Sequence, residues 1–131
     1  MQLTVTSREK TQLIDITRQI QDLIQDRGIT SGVCHIFVPH TTAAVTINEN
    51  ADPAVPADMI KVLNKIIPRD MDYRHLEGNS AAHVKSTLVG ASETIAIENG
   101  KLVLGTWQGI FFCEFDGPRT RRVTIKCIKD E

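Results

Sequence analysis

Residues 94–128 read TIAIENGKLVLGTWQGIFFCEFDGPRTRRVTIKCI, and this stretch decides the fold. Asn99-Gly100 stands between two short apolar runs, which is the strongest short-range signal of a β-hairpin. A long strand is predicted over residues 105–115, then a turn at Asp116-Gly117-Pro118, and then a last strand over residues 122–128. The residues expected to face inward in this last strand are Val123, Ile125 and Cys127. The end of the chain is therefore predicted to form antiparallel β-sheet.

The first ninety residues mix strand and helix signals. Their apolar patterns predict a hairpin of two strands within residues 3–16, strands over 33–38 and 43–47, and helices over 17–27, 53–67 and 80–89. Gly28 stands where a glycine would end the first helix. About seven strands and three helices, mostly joined by hairpins, imply an α+β fold with antiparallel sheets in a single domain, residues 1–131.

Composition excludes several classes of protein. Hydrophobic residues make up 41% of the 131 residues and charged residues 24%, which argues against disorder, and no apolar run approaches the roughly 20 residues of a membrane helix. Lys and Arg total 15 against 16 Asp and Glu, so the basic excess typical of nucleic-acid binders is missing. The chain begins without a signal peptide, and we expect a cytoplasmic protein that binds neither nucleic acid nor membrane. Its three cysteines lack CxxC spacing and are expected to be buried reduced thiols.

The four histidines all lie between positions 35 and 83. His35 shares a strand face with Val33 and Phe37, and such a histidine is predicted to be a satisfied core residue. His40 follows Pro39 at the end of a strand and precedes two hydroxyl side chains, so it is predicted to be functional.

Two polar segments are candidate cation sites. If the helix begins near Asn79, His83 faces back over the loop of residues 73–79, so His75 and His83 could share one cation. A surface loop without metal explains the same pattern. The segment 48–52, NENAD, offers oxygen ligands suited to Mg²⁺, but Asp52 is equally suited to begin a helix.

Three features near the end of the chain carry further hypotheses. Glu114 lies on an apolar strand face, so it either enters a polar pocket as a base or metal ligand or escapes to solvent at the strand end. Trp107, between two glycines, could stack on a flat heterocycle or pack in the core or at a subunit interface. Arg119, Arg121 and Arg122 could bind phosphate or keep a sheet edge soluble.

Three strings together resemble a known family. They are PHTTAAVTINENAD at residues 39–52, YRHLEGNSAAHVKSTLVG at 73–90 and ENGKLVLGTWQGIFFCEFDGPRTR at 98–121. The combination is similar to the YjbQ-type family, also called the secondary thiamine-phosphate synthase family, over the whole chain. The resemblance implies a two-sheet β-sandwich with helices, a homotrimer, and a weak or secondary ability to condense a hydroxymethylpyrimidine diphosphate with a thiazole phosphate.

The resemblance, added to the residues singled out above, predicts the site. The expected catalytic residues are His40, His75, His83 and Glu114. The expected substrate-binding residues are Thr41, Asn48, Asn79, Trp107, Gln108 and Arg119. The expected metal ligands are His75, His83, Asp52 and Glu77, for Mg²⁺ or for Zn²⁺ or Mn²⁺, with a small phosphorylated metabolite as substrate and no organic cofactor. A metal-dependent hydrolase or lyase, and a trimeric module that binds a phosphometabolite, are the alternatives.

Overall fold

The structure is a computed structural model that describes residues 1–131, with eight strands and three helices. The strands are β1 (Gln2–Thr6), β2 (Gln12–Asp15), β3 (Gly32–Phe37), β4 (Ala43–Glu49), β5 (Ser92–Glu98), β6 (Lys101–Leu102), β7 (Gln108–Glu114) and β8 (Thr120–Lys129). The helices are α1 (Thr17–Asp26), α2 (Ala54–Ile66) and α3 (Ser80–Val89).

The strands form two antiparallel sheets that share a core. The five-stranded sheet has the order β1-β8-β3-β5-β6 and the three-stranded sheet the order β2-β7-β4. Ile36 of the large sheet and Phe112 of the small sheet belong to one buried apolar cluster, which α1 joins through Ile20 and Ile24. The predicted α+β class with two antiparallel sheets is therefore confirmed.

Local signals located α1 and the hairpin correctly. Gly28 follows α1 with a φ of 62°, a left-handed conformation that glycine adopts without the steric cost of a side chain. Asn99 and Gly100 have φ values of 52° and 74° and join β5 to β6. The strand predicted over residues 105–115 is shorter, because the Gly105 carbonyl accepts the Gln108 N–H in a turn and β7 begins only at Gln108.

The hairpin predicted within residues 3–16 is wrong. β1 pairs with β8 in the large sheet, whereas β2 pairs with β7 in the small sheet. The chain crosses between the sheets after Ser7, whose hydroxyl donates to Glu114 on β7 at 2.7 Å. Both segments alternate apolar and polar residues as the strands of a hairpin do, but each pairs with a strand near the other end of the sequence.

His35 is not a core residue, contrary to its prediction. The inward face of β3 carries Cys34 and Ile36, so His35 lies on the exposed face and its Nδ1 is 3.0 Å from the hydroxyl of Thr94. The cysteines are free thiols, with Cys113 buried, and burial raises the pKa of that thiol to about 12.

Helices α2 and α3 lie on the outer face of the small sheet. Ala82 of α3 packs with Ala44 and Phe115 in a second apolar cluster, which Leu63 of α2 contacts. α2 has no buried residue, and Val62 and Ile66 are exposed. None of the three helices has the length and apolarity needed to cross a lipid bilayer.

Candidate functional site

A cavity of about 660 Å³ opens where the small sheet meets the end of β3. Three segments build its wall: the β3–β4 connection, the start of α3 with the loop before it, and the β7–β8 turn. Its polar lining residues are His40, Thr41, Thr42, Glu77, Asn79, His83, Asp116, Arg119 and Arg121. The structure thus brings together six of the predicted site residues, His40, Thr41, Glu77, Asn79, His83 and Arg119, which come from three different sequence segments.

His40 is held by the backbone of β8. The N–H of Arg122 donates to His40 Nε2 at 3.0 Å, and the Arg122 carbonyl oxygen lies 3.2 Å from the same ring nitrogen. The other ring nitrogen, Nδ1, has no protein partner. Burial, together with the charge of Arg121, lowers the pKa of His40 below its ordinary value. At neutral pH His40 is therefore an uncharged imidazole whose Nδ1 is free to contact a ligand.

A buried ion pair lies below the cavity. The Arg121 guanidinium donates to both carboxylate oxygens of Glu114, and its Nη2 also donates to the Thr42 hydroxyl at 2.7 Å. Burial alone would raise the pKa of Glu114, but hydrogen bonds from Arg121, Ser7 and the Asp116 N–H lower it. Glu114 is therefore an ionised carboxylate that fixes Arg121 in the cavity wall.

A second carboxylate, Asp116, holds the rim. Asp116 accepts hydrogen bonds from Lys10 and from the guanidinium of Arg119, and it also accepts one from the Asn79 side-chain amide at 2.9 Å. Burial tends to raise the pKa of Asp116, but the hydrogen bonds from Lys10 and Asn79 lower it. The amide oxygen of Asn79 is buried and has no hydrogen-bond partner within the chain.

His75 and His83 come together as predicted from their loop. Their ring centroids are 5.4 Å apart with the rings at 79°, in an edge contact. Glu77 Oε1 lies 3.8 Å from His75 Nε2, and both side chains are largely exposed. His83 lines the cavity, whereas His75 does not.

The predicted metal ligands do not form one site. Asp52 lies at the start of α2, where its carboxylate accepts the N–H of Ala54 at 2.9 Å, the helix-entry role. No group of three or more His, Cys, Asp or Glu side chains is arranged to hold a metal ion within residues 1–131. Within one chain the four predicted ligands therefore do not meet at a single cation.

Comparison with known proteins identifies the family. The family model described as "UPF0047 protein YjbQ-like" matches residues 1–130. The chain belongs to this family.

Its relatives are similar over nearly their whole length. The chain is 54% identical to the UPF0047 protein YugU of Bacillus subtilis over 127 residues, which is 96% of this chain and 95% of YugU. It is 52% identical to MJ1081 of Methanocaldococcus jannaschii over 127 residues, 97% of this chain and 92% of that one. The crystal structure of a Clostridium acetobutylicum protein of the YjbQ/UPF0047 family superposes with a TM-score of 0.95 at 50% identity, covering 98% and 99% of the two chains. That protein is described as uncharacterized, so the likeness shows family and fold and leaves activity open.

Four predicted residues of this UPF0047 member lie far from the cavity. Asn48 is paired with Gly109, and Glu49 with Gln108, at the opposite end of the small sheet from Glu114. Six residues of strand separate Gln108 from Glu114, a distance of about 20 Å. The four residues at that end are Asn48, Asp52, Trp107 and Gln108. One chain therefore does not bring them to the same ligand as His40 and His83.

The sequence reasoning missed Asp116 as part of the site and left open whether Arg121 binds phosphate or keeps a sheet edge soluble. Alternate residues of a strand lie on the same face, so Arg121 shares a face with Val123 and Ile125. A last strand predicted to begin one residue earlier would therefore have placed the Arg121 side chain on the inward face, with Glu114. Asp116 was assigned to a turn, and no local signal distinguishes a turn aspartate from one that accepts three side-chain donors.

Proposed function

We propose that this chain is a cytoplasmic enzyme that joins a hydroxymethylpyrimidine diphosphate to a thiazole phosphate and releases diphosphate, as a weak or secondary activity. The family resemblance supplies the reaction. The observation that carries the proposal is the convergence of Arg119, His40 and His83 on one open cavity, which is a donor set suited to a phosphorylated substrate.

The first task of this cavity is to hold the diphosphate. Arg119 uses Nε and Nη2 to bind Asp116, which leaves other N–H donors of the guanidinium free. Nη1 of Arg121, the Thr41 hydroxyl and, in the tautomer that carries its proton there, Nδ1 of His40 add donors along the same wall. Two guanidinium groups and a neutral imidazole can therefore bind diphosphate oxygens without any of them losing its present protein contacts.

The chemical step is a displacement at the pyrimidine methylene carbon. The carbon–oxygen bond to the diphosphate breaks and its electron pair leaves with the diphosphate, while the lone pair of the thiazole nitrogen forms the new carbon–nitrogen bond. Charge therefore develops on the leaving oxygens, where a ring N–H of His83 donates a hydrogen bond. Holding the two rings in line supplies the rest of the rate enhancement.

No protein-bound metal is assigned a step in this mechanism. A diphosphate carries Mg²⁺ from solution, so the cation enters as part of the substrate. The exposed Glu77 carboxylate, which lines the cavity, can supply an oxygen ligand to it. His75 contacts the His83 ring and fixes its orientation. Glu114 acts through Arg121, as a positioning residue.

The test is synthesis of thiamine phosphate by purified protein. His83→Ala is expected to lower turnover at least about 100-fold, the effect of removing one preorganised donor. His35→Ala is the matched control, since His35 is exposed on the outer face of the large sheet. Unchanged turnover in His83→Ala, with an unchanged melting temperature, would exclude this assignment.

A second candidate is favoured by the contact between His75 and His83. A metal-dependent hydrolase or lyase would use these two imidazoles, and elemental analysis of protein prepared without chelator separates it from the first proposal. Stoichiometric zinc, manganese or iron favours the hydrolase or lyase, whereas dependence on added Mg²⁺ favours the condensation. Tight binding of diphosphate with no product by mass spectrometry favours a phosphometabolite-binding module.

We propose further that the chain assembles as a homotrimer, as the family resemblance implies. The exposed apolar residues of α2 and α3 border a groove of about 500 Å³. Its lining consists of Asp58 and six apolar residues, Val55, Met59, Val62, Leu63, Leu88 and Val89. Such a face is costly to leave in water, and a second copy would bury it. A neighbouring copy is also required if Trp107 is to stack on a substrate ring in the cavity, given the distance of about 20 Å along the sheet within one chain.

A further inference from the structure

A second cavity, of about 450 Å³, adjoins the first and shares Asn79 with it. Its walls come from residues 9–11, from α2 and the residue Arg69 beyond it, and from the inner face of α3. The proposed function does not use this space. Its most unusual wall residue is a lysine.

Lys85 is only 6% exposed, the burial of a core residue. It lies on the face of α3 that meets the small sheet, together with Ala81 and Ala82. A helix that packs there needs only small apolar residues, as the two alanines show. Packing of α3 therefore does not explain a lysine at this position.

The protein leaves the Lys85 ammonium incompletely satisfied. Its Nζ donates to Asn64 Oδ1 at 2.5 Å and lies 5.9 Å from the centre of the Phe115 ring. An ammonium has three N–H donors, and this is the one hydrogen bond it makes within the chain. No carboxylate lies within ion-pair distance of it. Buried charges in proteins are normally paired, because desolvation without a counter-ion costs several kcal/mol, on the order given by transfer and mutation data.

The other charged residues that line the second cavity add to its excess of positive charge. Lys10 and Arg69 also line the cavity, and Glu9 is the one carboxylate that does so. Lys10 already binds Asp116 outside this group. Burial lowers the pKa of Lys85, and the charge of Lys10 lowers it further, so the protein itself disfavours the ammonium form. An anion in the cavity would reverse both effects.

We propose that this second cavity is an anion-binding site in which the Lys85 ammonium binds the phosphate group of a small phosphorylated substrate. Two N–H donors of Lys85 remain for phosphate oxygens, and Arg69 and Lys10 line the same cavity. The cavity volume of about 450 Å³ accommodates a phosphate monoester that carries one small ring.

The position of the site also suggests which substrate it holds, and this step rests on the proposed function. A condensation of two phosphorylated compounds needs two anion sites, since the two charged groups repel each other in one. The first cavity would hold the diphosphate and the second the thiazole phosphate, with their reacting ends meeting at Asn79. Asn79 lines both cavities and therefore marks their junction, and its amide oxygen has no hydrogen-bond partner within the chain.

The test measures binding of inorganic phosphate to the whole protein by amide chemical shifts and calorimetry. Phosphate is expected to shift the amide signals of Gly78, Ala81 and Ala82, which line the second cavity. Lys85→Met keeps the apolar stem and removes the charge, and it is expected to weaken phosphate binding at least tenfold, which is about 1.4 kcal/mol. Lys101→Met, on the exposed hairpin, is the control and should bind phosphate as the unmodified protein does.

A second variant keeps the test decisive if Lys85→Met does not fold. Asn64→Asp keeps Lys85 and places a carboxylate beside its ammonium, so it should also weaken phosphate binding, at an exposed position that tolerates the change. Phosphate affinity unchanged in both folded variants would overturn the site.

Activity measurements separate the failure of this site from the failure of the proposed function. If the protein makes thiamine phosphate, Lys85→Met should raise the KM for the thiazole phosphate and leave the KM for the pyrimidine diphosphate unchanged. A KM for thiazole phosphate that does not move would refute the site while the enzyme assignment stands. Lys85-dependent phosphate binding in a protein that makes no thiamine phosphate would support the site and refute the enzyme.

Discussion

Glu114 shows how one buried charge organises the candidate site. Its side chain is completely buried, yet it is ionised, because Arg121 and Ser7 donate hydrogen bonds to it. The pair joins β7 of the small sheet to β8 of the large sheet. The same contacts that stabilise the fold therefore place a guanidinium in the wall of the first cavity.

Removal of the Glu114 charge is predicted to destabilise the protein strongly. Glu114→Gln keeps the shape of the side chain but leaves the Arg121 guanidinium buried without a counter-ion, and loss of one partner of a buried pair costs about 3–5 kcal/mol. Urea unfolding measures the change. Glu98→Gln, at the exposed end of β5, is the control and should shift the free energy of unfolding by less than about 0.5 kcal/mol.

The acid dependence of stability gives a second readout for the same variant. The folded-state pKa of Glu114 is lowered, so between its folded and unfolded pKa values the unfolded chain binds more protons and stability rises with pH. The contribution is complete above the ordinary carboxyl pKa of about 4.3 and is lost as pH falls through the folded-state value. Asp116 acts in the same direction. Glu114→Gln should therefore show a shallower loss of stability on acidification, and an unchanged slope would contradict the ion-pair account.

At the scale of elements, the turn between β7 and β8 is the part that the site depends on most. Gly117 lies against the chain that crosses between the two sheets. A Cβ on Gly117 would stand 2.2 Å from the Glu9 carbonyl oxygen and 2.7 Å from the Ser7 hydroxyl. The first neighbour is backbone, and the Ser7 hydroxyl is held by hydrogen bonds with Glu114 and the Arg119 N–H, so this turn has no room for a side chain.

Gly117→Ala is predicted to displace the turn that carries Asp116 and Arg119. Overpacking of this kind costs about 1–3 kcal/mol, and binding of diphosphate to the first cavity should weaken in parallel. Thermal unfolding and calorimetry with inorganic diphosphate measure the two effects. Gly105→Ala is the comparison, since its added methyl would meet only the Gln108 side chain, at 3.2 Å. Equal effects of the two substitutions would show that the turn is not tightly packed.

The elements also show what a sequence can predict. α1, α3 and the Asn99-Gly100 hairpin depend on periodicity and turn residues within a few positions, and they were predicted close to their observed bounds. The partners of β1 and β2 depend on contacts with residues more than ninety positions away, and local alternation carries no information on them. The prediction that His35 is a core residue was wrong for a related reason. Its strand has apolar residues on both faces, and the pattern does not indicate which face is buried.

The site was predictable where a residue contradicted its surroundings. Glu114 stood out as a carboxylate on an apolar strand face, and His40 and His83 as imidazoles without an apolar role. Asn48 and Trp107 were grouped with them through family likeness, and the fold places them at the other end of the small sheet. Only the fold could show this separation, since residues 39–52 run the full length of one strand.

At the scale of the whole molecule, the two faces of the small sheet are covered to different extents. One face is buried against the large sheet, whereas the helices on the other face leave apolar side chains in water. Val62 is 54% exposed and Leu88 is 61% exposed, and they border the same groove. Exposed apolar surface of this kind does not stabilise a monomer, and contact with further copies would remove it from solvent.

The oligomer prediction is tested by placing a charge in this groove. The unmodified protein is expected to have three times the chain mass in analytical ultracentrifugation, and Val62→Asp should convert it to a monomer, because a buried unpaired carboxylate opposes association. Val103→Asp makes the same change at a residue that is 50% exposed and lies outside the groove, so it should leave the trimer intact. If Val62→Asp dissociates the trimer and also removes activity while the melting temperature shows a folded chain, the site requires a second copy, as the distance from Trp107 to the cavity implies. A Val62→Asp protein that stays trimeric would place the interface elsewhere on the molecule.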